Sequence, residues 1–582
     1  MRLAMAGLAA ALLWSALGSF ATSPWWLLVP ALGLAVLMSR HDKVIRAHET
    51  ASRAVRWYEW GFERLQHRWT GSGETGERFL DDEHPYARDL DIFGTASVFQ
   101  LTSTAQTASG EETLAGWLLA PSAPSVVRSR QQAVIDLAER PQLREDLYTR
   151  GVATRRAVDS AFLRQWATTP LWPTWRWVRV VGGVLAVMLL AAVGTWLGGL
   201  LSGWVPVGVA VFNAVVGTSV ARSVMRILHT AAAPARELLV LAAVFARLRE
   251  ETYNSDRLRE LHAALLSEDA EPVLVVGRLD RFIQMHDWQH NMVFAPFGLG
   301  LAWGPQCAAA VEGWRARYGP SVSRWLQTVG EFEALAALAT YRFEHPEDPF
   351  PKLVESSSPP IYDAEQLAHP LLPSAQAIAN DIRLGEAPQL VIVSGSNMSG
   401  KTTLLRTVGV NGVLAQAGAP VRAQRLRLSP MNIGGTLRVQ DSLLAGRSKF
   451  YAEILRVKQL VEIARAPGRL LFLMDELFNG TNSHDRVEGA HGVLERLVDL
   501  GAIGMITTHD LALAEIGERL ETRARNVHFD DQLVDGELAF DYRLKDGRST
   551  HGNALALMRA VGLGLRDSPA PDPTLTNDAA NE

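Results

Sequence analysis

Eight consecutive residues, Gly395-Ser-Asn-Met-Ser-Gly-Lys-Thr402, have the composition and spacing of a loop that wraps a phosphate chain. Gly395 and Gly400 let the backbone curl so that several N–H groups converge on one anion. Ser396, Asn397, Met398 and Ser399 form the span between them, Lys401 brings a point charge for the β- and γ-phosphates, and the Thr402 hydroxyl suits Mg²⁺. Further along, Asp475-Glu476 follows five apolar residues, 470–474. Asp475 at such a strand end would hold Mg²⁺ directly or through water. Glu476 beside it would orient or deprotonate an attacking water. His509 closes a third apolar run, 503–508, where it would sit next to the preceding strand's carboxylates and sense the γ-phosphate. The chemistry these residues could do together is ATP hydrolysis, with ATP and Mg²⁺ as ligands.

Such a site needs strands to aim the side chains. Residues 390–394 are a strand-like apolar run directly before the loop, and a helix-compatible stretch, 403–415, follows it. The new helix presents its positive end to the anion. A glycine-rich turn can arise by chance, but its position between strand and helix argues for a phosphate loop. The run 470–474 resembles a central parallel strand buried on both faces. From about 385 onward, short apolar runs alternate with helices, an α/β pattern. Upstream, residues ~80–170 and ~223–345 carry apolar residues at helical spacing. His345-Pro-Glu-Asp-Pro-Phe-Pro351 ends that region, and residues 567–582 have the composition of a disordered tail.

The chain has 582 residues, 48% of them hydrophobic, which predicts two to four domains. A formal net charge of −5 and a pI near 6.3 exclude a protein that holds DNA by overall charge. One cysteine, Cys307, excludes an intramolecular disulfide and reads as an inert core residue.

Two stretches lack Asp, Glu, Lys and Arg altogether: 37 residues at 3–39 and 42 residues at 180–221. A spanning helix needs about 20 apolar residues. The first stretch predicts spans at ~3–20 and ~25–39, the second at ~180–200 and ~204–221. A cleaved signal peptide fits the first poorly, because apolar residues resume at Trp25, Trp26 and Leu27. Trp175, Trp177, Trp196 and Trp204 fall at the expected membrane boundaries. Arg40, Lys43, Arg46, Arg176, Arg179, Arg222 and Arg226 flank the outer ends, whereas the tight turns carry no charge. Both hairpins are therefore expected to dip in from the cytoplasm, leaving the large segments of an inner or plasma membrane protein cytoplasmic.

Several motifs together resemble the MutS mismatch-repair ATPases. Ser394-Gly-Ser-Asn-Met-Ser-Gly-Lys-Thr-Thr403 is similar to that family's phosphate loop. Asp441-Ser-Leu-Leu-Ala-Gly-Arg-Ser-Lys-Phe-Tyr-Ala-Glu453, Met474-Asp-Glu-Leu-Phe-Asn-Gly-Thr-Asn-Ser-His-Asp485, Thr508-His509 and the closing stretch 549–563 extend the likeness over ~375–565. A weaker likeness at 89–101, 107–118 and 330–339 resembles the family's helical core. The resemblance implies that Thr403 joins the nucleotide contacts. It also implies a head-to-head homodimer in which Gly480, Thr481, Asn482 and Ser483 approach the partner's nucleotide. Asn482 stands where the family usually has Ser. No mismatch-reading domain, connector or Phe-x-Glu wedge precedes the core, and membrane spans take their place.

The expected fold is an α/β P-loop NTPase head of the ABC/MutS type, with an α-helical core and lever domain and four transmembrane helices. The expected domains are a transmembrane hairpin (1–40), a juxtamembrane helix and linker (41–80), a core-like helical domain (81–175), a second hairpin (176–222), a helical lever and core return (223–350), the ATPase domain (375–566) and the tail (567–582). The resemblance implies a DNA mismatch-repair or DNA-binding ATPase anchored in membrane lipid. The alternative is a membrane-bound, ATP-driven dimerisation switch without mismatch recognition. A transporter would need an LSGGQ-like signature before the acidic strand, and none occurs.

Overall fold

The computed structural model describes residues 28–155, 160–266, 271–290, 294–355, 359–396, 399–438, 449–466, 469–479, 482–509, 511–534 and 537–548. Its helical part runs through α1 (Leu28–Leu65), α2 (Val98–Thr102), α3 (Ala108–Leu119), α4 (Pro124–Ala138), α5 (Pro141–Arg155) and α6 (Ser160–Thr168). It continues through α7 (Trp175–Leu197), α8 (Trp204–Arg249), α9 (Asp256–Leu266), α10 (Pro272–Asp287), α11 (Ala295–Gly300) and α12 (Trp303–Glu344). The head follows: β1 (Lys352–Leu353), β2 (Tyr362–Leu367), β3 (Asn380–Leu384), β4 (Leu390–Ser394), α13 (Lys401–Ala417), β5 (Arg425–Leu428), β6 (Asn432–Thr436) and α14 (Lys449–Arg465). It closes with β7 (Leu470–Asp475), α15 (Ser483–Asp499), β8 (Ile503–Thr508), α16 (Leu511–Ala514), α17 (Ile516–Arg519), β9 (Ala524–Val534) and β10 (Glu537–Asp546).

Six strands form the main sheet of the head in the order β10-β9-β4-β8-β7-β6. All its pairings are parallel except β9 with β10. β4, β7 and β8 are buried almost throughout, as parallel strands covered on both faces must be. Their continuous apolar sequence follows from that burial. A smaller sheet, β1-β5-β2-β3, lies beside it.

The body is organised by α12, a 42-residue helix whose C-terminal half is almost wholly buried. Gly330 lets α3 approach closely, since a Cβ there would meet the Ser109 carbonyl oxygen at 2.6 Å. One continuous apolar core then joins body and head, from Leu90, Leu118 and Val127 to Leu405, Val408 and Leu414 of α13. Burial of this kind contributes roughly 25 cal/mol per Å² of apolar surface.

Four spans are expected from the sequence, whereas two helices among the described residues are long and apolar enough to cross a membrane, α7 and α8. Residues 3–20 lie outside the described residues. The remaining candidate, 25–39, is described only from Leu28, where it runs without a break into the polar stretch to Leu65. The apolar part is therefore the start of a longer mixed helix, with no boundary near residue 40. α8 also extends further than its apolar run implies. It passes through Pro234, and its second half, including Leu238, Leu241, Val244 and Leu248, is buried in the body.

Candidate nucleotide site

Residues that the sequence places apart converge at the C-terminal edge of β4, β7 and β8. Parallel pairing sets Asp475 of β7 opposite Thr507 of β8, and Ser394 of β4 opposite Thr508. The loop after β4 turns through Gly395 at φ 147° and Gly400 at φ 96°. Gly400 has no room for a side chain, because a Cβ would lie 2.9 Å from the Tyr542 ring. Lys401 opens α13 and is buried, with its ammonium donating to the carbonyls of Gly395 (2.8 Å) and Ser396 (2.7 Å). The hydroxyl oxygens of Ser396 and Ser399 are buried and have no hydrogen-bond partner among the described residues. Asn397 and Met398 lie outside the described residues.

The acidic pair divides into two roles. Asp475 accepts hydrogen bonds from Thr402 Oγ1 at 2.8 Å and from the Thr507 hydroxyl. Glu476 has a left-handed backbone, φ 48°, which for a non-glycine residue stores strain of order 1–3 kcal/mol. Thr507 holds it there, its carbonyl and hydroxyl both accepting from Glu476 N–H at 3.3 and 3.1 Å. Asn479 Nδ2 donates to Glu476 Oε2 at 2.7 Å, and His509 Nδ1 lies 3.1 Å from Oε1. Behind them, Phe478 N–H donates to Glu453 at 2.8 Å, fixing the turn after β7.

A cavity of about 740 Å³ opens from this edge, and Lys401, Thr402, Thr403 and Glu476 line one end. His369, Ile378 and Tyr542 line the cavity too, with the Tyr542 ring beside Gly400. Burial and the nearby Arg406 push the His369 imidazole down to about 4, so that ring is uncharged near neutral pH. Asn380 ties β3 to β10 here, donating to the Tyr542 carbonyl at 3.0 Å and accepting from Leu544 N–H at 2.7 Å.

The donor set fits a triphosphate with a divalent cation. It offers a buried ammonium, two unpartnered hydroxyls, main-chain curvature at two glycines and a carboxylate–hydroxyl pair of the oxygen type that Mg²⁺ prefers. Gly395, Ser396, Ser399, Gly400, Lys401, Thr402, Thr403, Asp475, Glu476 and His509 thus gather around one edge. Gly480 and Thr481 lie outside the described residues. Asn482 caps α15 within its own chain, accepting from Asp485 N–H at 2.9 Å and donating to the Asp485 carboxylate at 2.7 Å. Ser483 opens that helix. Sequence reasoning missed Thr507 and Asn479, as well as His369 and Tyr542 on the cavity wall. Thr507 had a signal: a hydroxyl two residues before His509 in a strand adjacent to β7.

This combination of sheet, glycine-bounded loop and acidic strand end has the geometry of an ATPase-type head. Residues 391–565 match MutS domain V. The likeness to the MutS family is carried by this domain. Over 225 residues the chain is 28% identical to the DNA mismatch repair protein MutS of Psychrobacter cryohalolentis, covering 37% of this chain and 21% of the relative. Over 265 residues it is 31% identical to Endonuclease MutS2 of Thermomicrobium roseum, covering 42% and 32% respectively. Against MutS of Bacillus subtilis it is 27% identical over 233 residues, 40% of this chain and 27% of that protein. The match therefore spans between a fifth and a third of these relatives' lengths.

Proposed function

We propose that this protein binds and hydrolyses ATP at the edge of β4, β7 and β8, and that it is a membrane-anchored, ATP-driven switch. The observation that carries the reading is the pairing of Thr402 with Asp475 beside a Glu476 oriented by Asn479 and His509. Lys401 exchanges its carbonyl partners for phosphate oxygens, and the Ser396 and Ser399 hydroxyls donate to the same anion. Thr402 and Asp475 would hold Mg²⁺, which neutralises charge on the phosphates when bound. Glu476 takes a proton from water, with His509 and Asn479 fixing its carboxylate.

The motion has a physical route into the body. Asp91, on the loop before α2, accepts from Arg406 of α13 at 3.1 Å and pairs with Arg438. Asp89 accepts from Arg438 N–H at 2.9 Å. A shift of the phosphate loop thus pulls directly on the helical body. Closure of two heads into a homodimer would add the second half of each site, with Asn482 and Ser483 near the partner's nucleotide. Asn482 enters that role only by leaving its cap.

Membrane anchoring rests on α7 and α8. Their most apolar windows have mean hydropathies of 2.3 and 1.6, and only 17% and 11% of those windows is buried. A core helix of a soluble domain would be mostly buried. Arg176, Arg179, Arg222 and Arg226 all lie at one end of the hairpin, which supports a cytoplasmic body and head in a plasma or inner membrane protein.

The test is Mg²⁺-dependent phosphate release by purified full-length protein, with Glu476→Gln accumulating an ATP-bound dimer seen as a doubled mass. A monomer at saturating ATP overturns the dimer, and Glu476→Gln that hydrolyses like the parent overturns the site. DNA engagement is a second reading, favoured by relatives named as mismatch repair proteins. Titration with duplex, mismatched and branched DNA at several salt concentrations decides it, since binding through phosphates weakens steeply as salt rises. Absence of salt-dependent binding removes it.

A further inference from the structure

From the end of α10 into the first turns of α12 the chain runs 24 residues, 288–311, without Asp, Glu, Lys or Arg. The helix within it, α11, has 6 residues, too few to cross a membrane, and its last residue, Gly300, packs against the apolar hairpin at Leu189 and Ala210. We propose that the described residues of this turn, 288–290 and 294–303, form a re-entrant element that dips into the hydrocarbon beside α7 and α8 and returns to the same side. The proposal rests on the membrane reading of those two helices.

Three contacts fix its depth. A Cβ on Gly313 would touch Trp175, near the start of α7. Gln306 Nε2 donates to the Gly182 carbonyl at 3.3 Å, one turn beyond Arg179. A Cβ on Gly300 would meet Leu189 at 3.0 Å and Ala210 at 3.5 Å. Following α12 backward therefore means descending along α7. Gly300 sits level with residues six to ten beyond Arg179, roughly 9–15 Å along a helix. Measured from Arg222 on α8, Ala210 and Asn213 give roughly 13–18 Å. Both values lie inside a hydrocarbon core about 30 Å thick and near its middle.

Asn213 is the bolt. It is fully buried, and its amide donates to the Leu185 carbonyl at 3.0 Å and the Gly300 carbonyl at 2.7 Å. A polar side chain in mid-membrane is expensive unless it is paired, and irregular backbone is tolerated there only when packed against protein. The packing condition holds, and the pairing condition holds for the Asn213 Nδ2 group, while its Oδ1 is buried without a hydrogen-bond partner among the described residues. Asn213 satisfies the carbonyl that α11 leaves open at its end, and Gly298, Gly300 and Ala302 are buried. The outer face is apolar, with Phe297 64% exposed and Trp288 55% exposed. Trp288 and Trp303 stack with centroids 6.3 Å apart, and Gly304 of α12 packs near Val224, two residues beyond Arg222. That is the level at which indole rings favour a membrane interface.

The experiment attaches a spin label to single cysteines in the full chain, with Cys307→Ala removing the sole native thiol. The protein is reconstituted in phosphatidylcholine–phosphatidylglycerol vesicles. Collisions with oxygen, which concentrates in hydrocarbon, are compared with those of a water-soluble nickel complex. The sites are Phe297→Cys, Val211→Cys on the hairpin and the exposed Lys458→Cys on the head. Residue 297 is expected to lose nickel collisions to the level at 211, while 458 keeps them. Nickel access at 297 with protection at 211 overturns the re-entrant element and leaves the anchored hairpin standing. Nickel access at both positions overturns both readings. Because Phe297 is mostly exposed, its replacement does not unseat the core. Trp288→Cys, expected to give an intermediate ratio, serves as a second position, and a ratio equal to that at 458 counts against the proposal.

Discussion

Replacing Glu476 with Gln keeps size and shape while removing the base. General-base catalysis contributes roughly 10²–10⁴-fold, about 3–5 kcal/mol of barrier by the usual conversion. The side chain's orientation depends on two neighbours, Asn479 at 2.7 Å and His509 at 3.1 Å. A hydrogen bond to a charged group is worth roughly 1.5–3 kcal/mol, so Asn479→Ala and His509→Ala are each expected to slow turnover about 10–100-fold. None of the three hydrogen-bonds to the described residues of the phosphate loop, so nucleotide affinity is expected to hold within a few fold. Single-turnover phosphate release, paired with binding of a fluorescent ATP analogue, separates rate from affinity. The reasoning is refuted if Glu476→Gln releases phosphate as fast as the parent, or if affinity falls in proportion to rate.

Three further outcomes are expected. Gly400→Ala forces a Cβ to 2.9 Å from Tyr542 at a backbone angle suited to glycine. A strain of about 1–3 kcal/mol is expected to weaken ATP binding roughly 5–150-fold, and unchanged affinity in a titration would contradict the site geometry. Burial pushes the Glu111 carboxyl up to about 7, against the pull of Arg78. Between its ordinary value near 4.5 and 7, the folded state keeps a proton the unfolded chain has lost, so stability falls as pH rises through that window. Glu111→Gln should remove this slope and stabilise the protein above pH 7 by about 3 kcal/mol at most, read from denaturant midpoints at pH 5 and 8; an unchanged slope rejects the assignment. Asn482→Ala is expected to lose about 1 kcal/mol of helix capping, while Asn482→Ser retains it. Loss of ATP-driven dimerisation with no change in thermal stability would show that its role lies with the partner instead.

The candidate site was legible because its residues mark strand ends. Residues 390–394, 470–474 and 503–508 each emerge as buried strands with the chemistry at their C-terminal tips. Asn479 was harder to read, because it reaches Glu476 only after the backbone turns left-handed at Glu476 and again at Phe478. His369 arrives from the loop after β2 and Tyr542 from β10, and no local pattern marks them as neighbours of Lys401. The apolar runs predicted the hairpin, but not where its helix stops. α8 continues through Pro234 because its later turns bury Leu238, Leu241 and Leu248. Tertiary packing there outweighs the proline penalty of about 3 kcal/mol.

α8 is 46 residues in one piece, about 69 Å if straight. Its upper end stands among apolar residues facing outward, and its lower end is locked in the same core that reaches α13. A rod held at both ends cannot change angle at one without doing so at the other. In the membrane-anchored reading proposed above, lipid thickness would set a preferred tilt, and that tilt would favour one state of the head over another. By linkage, the free energy the bilayer contributes to head closure equals what closure returns to the bilayer. Thinner and thicker lipids should then give different nucleotide affinities with no lipid near the nucleotide.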